Sequence, residues 1–533
     1  MGLSLRFFTF MHLVSSLLIF HLAIAHFTSS MQPHTLCHDQ DRSALLKFIE
    51  SLTINRNASR NPLSYPKVAS WNQDEQNSDC CSWDGIKCDE DTGHVIGLNL
   101  SSSWLYGSIN SSSSLFQLVH LEWLALADNH FNFSVIPSEI VNLSRLTRLS
   151  LSGSFFAGQI PAELLELSRL EVLDLSSNDH HLKLQSPVPP TLANFKSSLH
   201  GEIPTEIFQL PNLRLLELAY NSNLTGHLSE FQKNNSLELL NVAYSGFSGK
   251  IPNSIENLKS LSHLYLPRCY FSGKIPPSLG NLTKLAHLFL WGNGFSGELP
   301  TSIGNLASLE ILAISSCNFS GAVPASSLRN LTQLTALIIG KNNFSSLSSR
   351  SLSWIADLKK LTILDLESSK IVGEVPPALM NLTQLTQLSL AFNHQLTANQ
   401  LEGSIPSSFF ELKNLVELEL AGNKLSGTLD INKFLLNMKS LEVLVLSSNK
   451  LSLLTEATVN TYSKNINVIG LRSCNLTEFP HFLYNQKFLD SVDLSSNRIA
   501  GQVPGWFLNN VLVHVMTTQP LKLPKTSGHS MPL

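Results

Sequence analysis

The chain has 533 residues, a formal charge of −4 and a charged fraction of only 14%. It contains no basic run or patch, which argues against nucleic acid or an anionic membrane surface as a partner. This length would ordinarily suggest several globular domains, but that expectation fails for repeats, so internal periodicity takes precedence.

Residues 1–25 read as a secretory signal. Arg6 supplies positive charge, Phe7 to Ala25 is mostly apolar, and Ala23-Ile24-Ala25 is a small-residue cleavage site. Thr9, His12 and His21 interrupt the segment and no stop-transfer pattern follows, which argues against a membrane anchor. The mature chain is expected to begin near His26 in an oxidising compartment. Thirteen Asn-x-Ser/Thr sequons fit that compartment and are expected to carry glycan: Asn57, Asn99, Asn110, Asn132, Asn142, Asn223, Asn234, Asn281, Asn318, Asn330, Asn343, Asn381 and Asn475.

Residues 26–93 read as an N-terminal cap. Asp41 can start a helix whose Leu45, Leu46, Phe48, Ile49 and Leu52 form an apolar stripe. Cys37 and the run Cys80-Cys81-Ser82-Trp83-Asp84-Gly85-Ile86-Lys87-Cys88 supply four cysteines to a small secreted module, which implies two disulfides. Adjacent Cys80 and Cys81 are poor partners because such a ring is strained. Of the remaining pairings, Cys37–Cys80 with Cys81–Cys88 is favoured. A zinc site is disfavoured by secretion and by the lack of matching histidines.

Residues 94–506 repeat with a period of about 24. Leu261-Ser-His-Leu264-Tyr-Leu266-Pro-Arg-Cys269-Tyr-Phe271-Ser-Gly273-Lys-Ile275-Pro276 is followed by Leu285-Ala-His-Leu288-Phe-Leu290-Trp-Gly-Asn293-Gly-Phe295-Ser-Gly297-Glu-Leu299-Pro300. Asn221, Ser245, Cys269, Asn293 and Cys317 are each 24 apart, and equivalents fall at Asn129, Ser154, Asn178, Asn342, Ser369, Asn393, Asn423, Asn449, Cys474 and Asn497. Leu-x-Leu puts alternate side chains on the core face of a short strand. One turn cannot bury them alone, so stacking on neighbours is obligatory. The Asn side chain donates and accepts at the bend, satisfying backbone groups of adjacent turns. Gly permits the tight turn that follows, and Pro with Gly at fixed spacing excludes a leucine-rich helical bundle. The fold is therefore an α/β repeat solenoid, a curved superhelix of about sixteen turns with a parallel sheet roughly 80 Å long on its concave face and a disulfide-bonded cap. Cys269, Cys317 and Cys474 occupy the Asn position and read as buried ladder residues, too far apart to pair.

The motif Leu415-Val-Glu-Leu418-Glu-Leu420-Ala-Gly-Asn423-Lys-Leu425-Ser-Gly427 resembles the plant-specific leucine-rich repeat. The cap run from Cys80 to Cys88, followed by Thr92-Gly93-His94-Val95, resembles plant receptor-like proteins, in particular resistance proteins of the tomato Cf type. The resemblance covers residues 37 to about 506. It implies a cell-surface receptor at the plasma membrane with one membrane-spanning helix and a short tail, acting in pathogen perception through a partner receptor-like kinase. Three departures stand against it. Residues 179–200 lose the repeat, and Asn178 to Asn221 is 43, not 48. Asn393 and Asn399 compete for one ladder position across a six-residue insertion. The tail at 507–533 departs completely, and Val511 to Met516 is too short to span a membrane. Such a chain would be a truncated receptor or an incomplete gene product, secreted if it ends at Leu533, with the apolar core of its last turn, Val492 to Pro504, exposed.

Residues 24 apart stack over one another on the concave face. One column then holds Tyr220, Tyr244 and Arg268; a second Tyr265 and Phe289; a third His263 and His287; a fourth Pro267 and Trp291. Aromatic and Arg side chains are favoured at binding hot spots, so Tyr220, Tyr244, His263, Tyr265, Arg268, His287, Phe289 and Trp291 are the candidate ligand contacts. The expected partner is a protein or peptide, of pathogen origin in a defence receptor. His180 and His181 lie in the irregular stretch and read as exposed loop residues, not metal ligands. No nucleophile elbow, helical His pair, phosphate loop or kinase signature is present, so neither catalysis nor a metal or cofactor is expected. The competing reading is a secreted inhibitor resembling the polygalacturonase-inhibiting proteins. Those are shorter, with about ten repeats, and close with a second disulfide cap.

Overall fold

The computed structural model describes residues 36–71, 79–178, 198–391, 399–455, 466–486, 488–500, 504, 505, 507 and 514–516. The signal segment, His180 and His181, Asn393 and most of the tail lie outside these residues.

The cap is built on helix α1, Asp39–Glu50, which buries Ala44, Leu45, Phe48 and Ile49. The helix starts two residues before the expected Asp41. Asp41 is thereby released from capping, and one of its carboxylate oxygens accepts the Val95 amide at 2.9 Å and lies 3.1 Å from His94 Nδ1. It ties the cap helix to the first ladder strand. Cys37–Cys80 and Cys81–Cys88 are bonded, as favoured from sequence, with Cα separations of 5.4 and 5.5 Å. Asp79 accepts both the Cys37 and Cys81 amides, and Trp71 stacks on Trp83 at 5.0 Å. The strand Ile86–Cys88 pairs antiparallel with Val95–Asn99 and covers the first edge of the parallel sheet.

From Val95–Asn99 onward the concave sheet is parallel, each strand pairing with the strand one turn later. Leu240, Leu264, Leu288, Leu312 and Leu337 are partners in succession and have no accessible surface. The asparagine ladder takes the expected form. Asn293 Nδ2 donates to the Leu266 and Leu290 carbonyls at 2.7 and 2.8 Å, while its Oδ1 accepts the Phe271 amide at 3.0 Å. One buried side chain so satisfies backbone groups from two turns that would otherwise cost about 1–3 kcal/mol each. Where Cys269 replaces Asn, its thiol donates to the Val242 carbonyl at 3.0 Å and lies 3.6 Å from the Ser245 hydroxyl of the previous turn. Beyond the ladder the chain forms a second, seven-stranded sheet running from Gly201–Glu202 to Asn343–Phe344. Behind it Phe271, Phe295, Phe319 and Phe344 stack at 6.1–6.3 Å, an aromatic spine through the core. The turn closes through a short 3-10 helix after proline, such as Pro277–Asn281.

The three departures resolve differently. The strand Val172–Asp174 pairs directly with Leu215–Glu217, and Asn221 donates to the Leu175 carbonyl at 3.0 Å. The two strands are therefore neighbours in the ladder although Asn178 and Asn221 are 43 residues apart. At the second site Asn399 takes the ladder position, donating to Leu366 and Leu390 carbonyls at 2.8 and 3.0 Å. At the end of the chain the expectation of an exposed core fails. Val492 and Leu494 are buried, because a further strand, His514–Met516, pairs with Ser491–Asp493 and Phe507 packs on Phe479 at 5.0 Å. The sheet therefore extends past residue 506. Among the described residues no helix is long and apolar enough to cross a membrane.

Candidate ligand-binding face

Strand register fixes what the concave face presents. The residue between the two ladder leucines forms its central column: Asp174, Glu217, Asn241, Tyr265, Phe289, Ala313, Ile338, Asp365, Ser389 and Glu419 in successive turns. An aromatic and aliphatic stretch is thus bracketed by carboxylates, a pattern the sequence reading missed because it followed only the aromatics. Counting one residue per turn along the whole column would have found it.

All eight candidate contacts come together. Tyr220 and Tyr244 stack at 4.8 Å, Tyr244 meets Trp291 edge-on at 5.8 Å, and the Arg268 guanidinium lies 5.4 Å from the Trp291 ring. Tyr265 sits 4.9 Å from Phe289, and its hydroxyl is 2.7 Å from His287 Nδ1. His263 packs against His287 at 4.5 Å and takes a 2.7 Å bond with Ser262. Their exposure is unequal. Arg268 is exposed, and Tyr220, Tyr244 and His263 are half-buried. Tyr265, His287, Phe289 and Trp291 are buried, at 2, 8, 0 and 7%. All four were expected as open contacts; Tyr265, Phe289 and Trp291 instead join Leu239, Ile311 and Ile338 in an apolar cluster separate from the main core.

Electrostatics follow from this packing. Burial, then the nearby charge of His263, lowers His287 to about 4, and burial lowers His263 as well. Burial followed by the Glu217 charge pushes Tyr220 up to about 12. At the far end, burial and then Glu367 raise Asp365 to about 7, while Lys341 pairs with Glu367 at 2.9 Å. The array offers stacking surfaces, neutral imidazoles and carboxylates. It suits binding.

Sequons are distributed unevenly about this face. Asn99 lies on a concave strand and is half-buried; Lys67 Nζ reaches its carbonyl and side-chain oxygens at 3.1 and 3.4 Å. The other twelve are exposed and lie off the concave strands. Asn142, Asn281 and Asn381 end 3-10 helices, whereas Asn223, Asn318 and Asn343 sit on the second-sheet side.

Comparison with known proteins agrees with this architecture. Residues 38–89 match the leucine rich repeat N-terminal domain and residues 192–353 a leucine-rich repeat region. Receptor-like protein 7 of Arabidopsis thaliana is 38% identical over 298 residues, 48% of this chain and 28% of that protein. Receptor-like protein Cf-9 of Solanum pimpinellifolium is 38% identical over 160 residues, 24% of this chain and 18% of that protein. The matched part is therefore under a third of each relative's length. Among solved structures, PEPR1-AtPEP1 aligns with TM-score 0.56 and 26% identity, covering 91% of this chain and 76% of that one. The Arabidopsis receptor kinase HAESA, in complex with the peptide hormone IDA and the co-receptor SERK1, aligns with TM-score 0.50 and 26% identity over 90% of this chain and 93% of that one.

Proposed function

We propose, for a chain that belongs to the plant leucine-rich-repeat receptor-like proteins, a role as the extracellular ligand-recognition region of a cell-surface receptor. Its ligand is a peptide or protein segment laid along the concave face between Tyr220 and Trp291. The observation that carries this reading is the convergence of Tyr220, Tyr244, His263, Arg268 and Trp291 across four consecutive turns of one face. Placement of the twelve exposed sequons on other faces supports it, since glycan there leaves the concave strands accessible. So does the similar structure of an Arabidopsis receptor kinase in complex with a peptide hormone.

The central column also speaks to ligand chemistry. Apolar positions from Tyr265 to Ile338 lie between carboxylates at Asp174 and Glu217 on one side and Asp365 and Glu419 on the other. Glu217 to Asp365 spans six strand steps, roughly 29 Å at about 4.8 Å per step, the length of about nine extended residues. Burial raises the Asp174 and Glu217 carboxyls above their ordinary range, so the ends of this column offer hydrogen bonding rather than fixed charge to a segment of that length. By similarity to Cf-9, the signal is one of defence, passed to a partner receptor kinase at the outer face of the plasma membrane. The chain acts by binding and not by catalysis.

The test is selection of a random-peptide library on the immobilised, secreted chain. Enrichment of peptides whose binding falls at least about tenfold in a Tyr244→Ala/Arg268→Ala variant is expected. Binding that is unchanged in that variant would place the ligand elsewhere.

A further inference from the structure

We propose that His38, His94 and His120 form a pH-responsive joint between the disulfide-bonded cap and the first turns of the solenoid. The three imidazoles come from separate pieces of chain. His38 follows Cys37 at the entry to α1, His94 ends the turn leading into the first ladder strand, and His120 precedes the strand Trp123–Ala125. Their rings form one column, with His38 and His94 4.1 Å apart and 14° from parallel, and His94 and His120 3.8 Å apart and 18° from parallel. A ligating nitrogen directs its lone pair in the plane of its ring, so near-parallel stacked rings cannot share one metal ion. The arrangement is one of packing.

The charges around the column are unbalanced. Asp41, buried at 5%, lies 3.1 Å from His94 and is the carboxylate held against the stack. Asp89, from the turn before His94, acts on His94 from an exposed position, and Arg145 faces His120. On the first turn of α1, Asp39 pairs with Arg42 at 3.3 Å. Neutral imidazoles stack as flat plates. A proton on His120 sets a cation at stacking distance from the His94 ring, with Asp41 held at the far ring and Arg145 adding to the repulsion.

Burial, then the charges of His94 and Arg145, accordingly hold His120 below the ordinary imidazole value of 6.5. The sign of the effect follows. Below that value the unfolded chain takes up a proton that the folded stack resists, so the contribution of the stack is complete above it and is lost as pH falls. Acidification therefore loosens the clasp of His38, Asp41 and His94 that ties α1 to the ladder, while the distant turns keep their packing.

Hydrogen–deuterium exchange of the intact chain at about pH 5 and about pH 7.5, corrected for intrinsic rates, tests this. Peptides covering residues 37–52 and 93–121 are compared with peptides covering 420–450. Protection of the cap peptides is expected to fall by about threefold or more at the lower pH with the 420–450 peptides unchanged. In His120→Phe, which keeps a stacking ring but takes no proton, that pH response should be reduced by at least about half. His38→Phe, at the exposed end of the column, serves in the same way if the first variant does not fold. A cap without pH response, or the same response in wild type and the phenylalanine variant, overturns the proposal.

Discussion

Tyr220 and Tyr244 stand one turn apart with rings 4.8 Å apart and planes 11° from parallel. Both have left-handed backbone, φ 58° and 54°, immediately before the ladder residues Asn221 and Ser245. The same left-handed bend precedes the ladder position at Arg268, and Gly292 fills that place two turns after Tyr244. Turn spacing of roughly 4.8 Å matches the ring separation, so the pitch of the solenoid holds the stack. A double-mutant cycle of Tyr220→Ala and Tyr244→Ala should show about 0.5–1.5 kcal/mol of coupling in urea unfolding. Additive effects would mean that the rings touch without stabilising one another.

The ladder residues are not interchangeable. Asn293→Ala leaves the Leu266 and Leu290 carbonyls and the Phe271 amide without that partner, and is expected to cost about 1–3 kcal/mol. Cys269→Asn should act in the opposite direction by up to about 1 kcal/mol, since the amide can accept from the previous turn while still donating to Val242. Urea midpoints of the two variants, read against the parent, check both signs.

Cys269, Cys317 and Cys474 are free, and burial raises all three thiols, the first two to about 11 and the third to about 12. At pH 8 they stay protonated, with Cys269 and Cys474 buried and Cys317 half-buried. A thiol-reactive dye should label the folded chain at a negligible rate and all three cysteines once it is unfolded without reductant. Because these acids are weakened by folding, their contribution is full below the ordinary thiol value of 9.0 and is lost as pH rises toward the folded values. Rapid labelling of the folded chain would contradict this.

Deletion of residues 393–398 joins Leu390-Ala391-Phe392 to Asn399-Gln400-Leu401, which restores the spacing of Leu420-Ala421-Gly422-Asn423. Asn399 already holds the ladder bonds. The shortened chain should fold with stability within about 0.5 kcal/mol of the parent, measured by thermal and urea unfolding. A large loss would show that the insertion itself supports the turn.

Local chemistry made the ladder legible. Leu-x-Leu, the Asn position and the glycine before Ile-Pro each act on their own turn or the next, so a 24-residue spacing carries their meaning directly. The cap disulfides were legible for a similar reason, because four cysteines in one small module leave few pairings. Asn393 and Asn399 were indistinguishable from sequence, both being asparagines near a strand end, and a hydrogen bond to Leu366 of the previous turn separates them.

The periodic sequence by itself determined the solenoid, its register and the columns on its concave face, since strand alternation and turn spacing are fixed by backbone geometry. Tertiary structure alone decided which of those columns are covered. It sank Tyr265, Phe289 and Trp291 into an apolar cluster while leaving Arg268 exposed. It also gathered His38, His94 and His120 into one stack from three separate loops. Burial and ring stacking depend on side chains that meet only after the turns have closed on one another, and no spacing within a single turn encodes them.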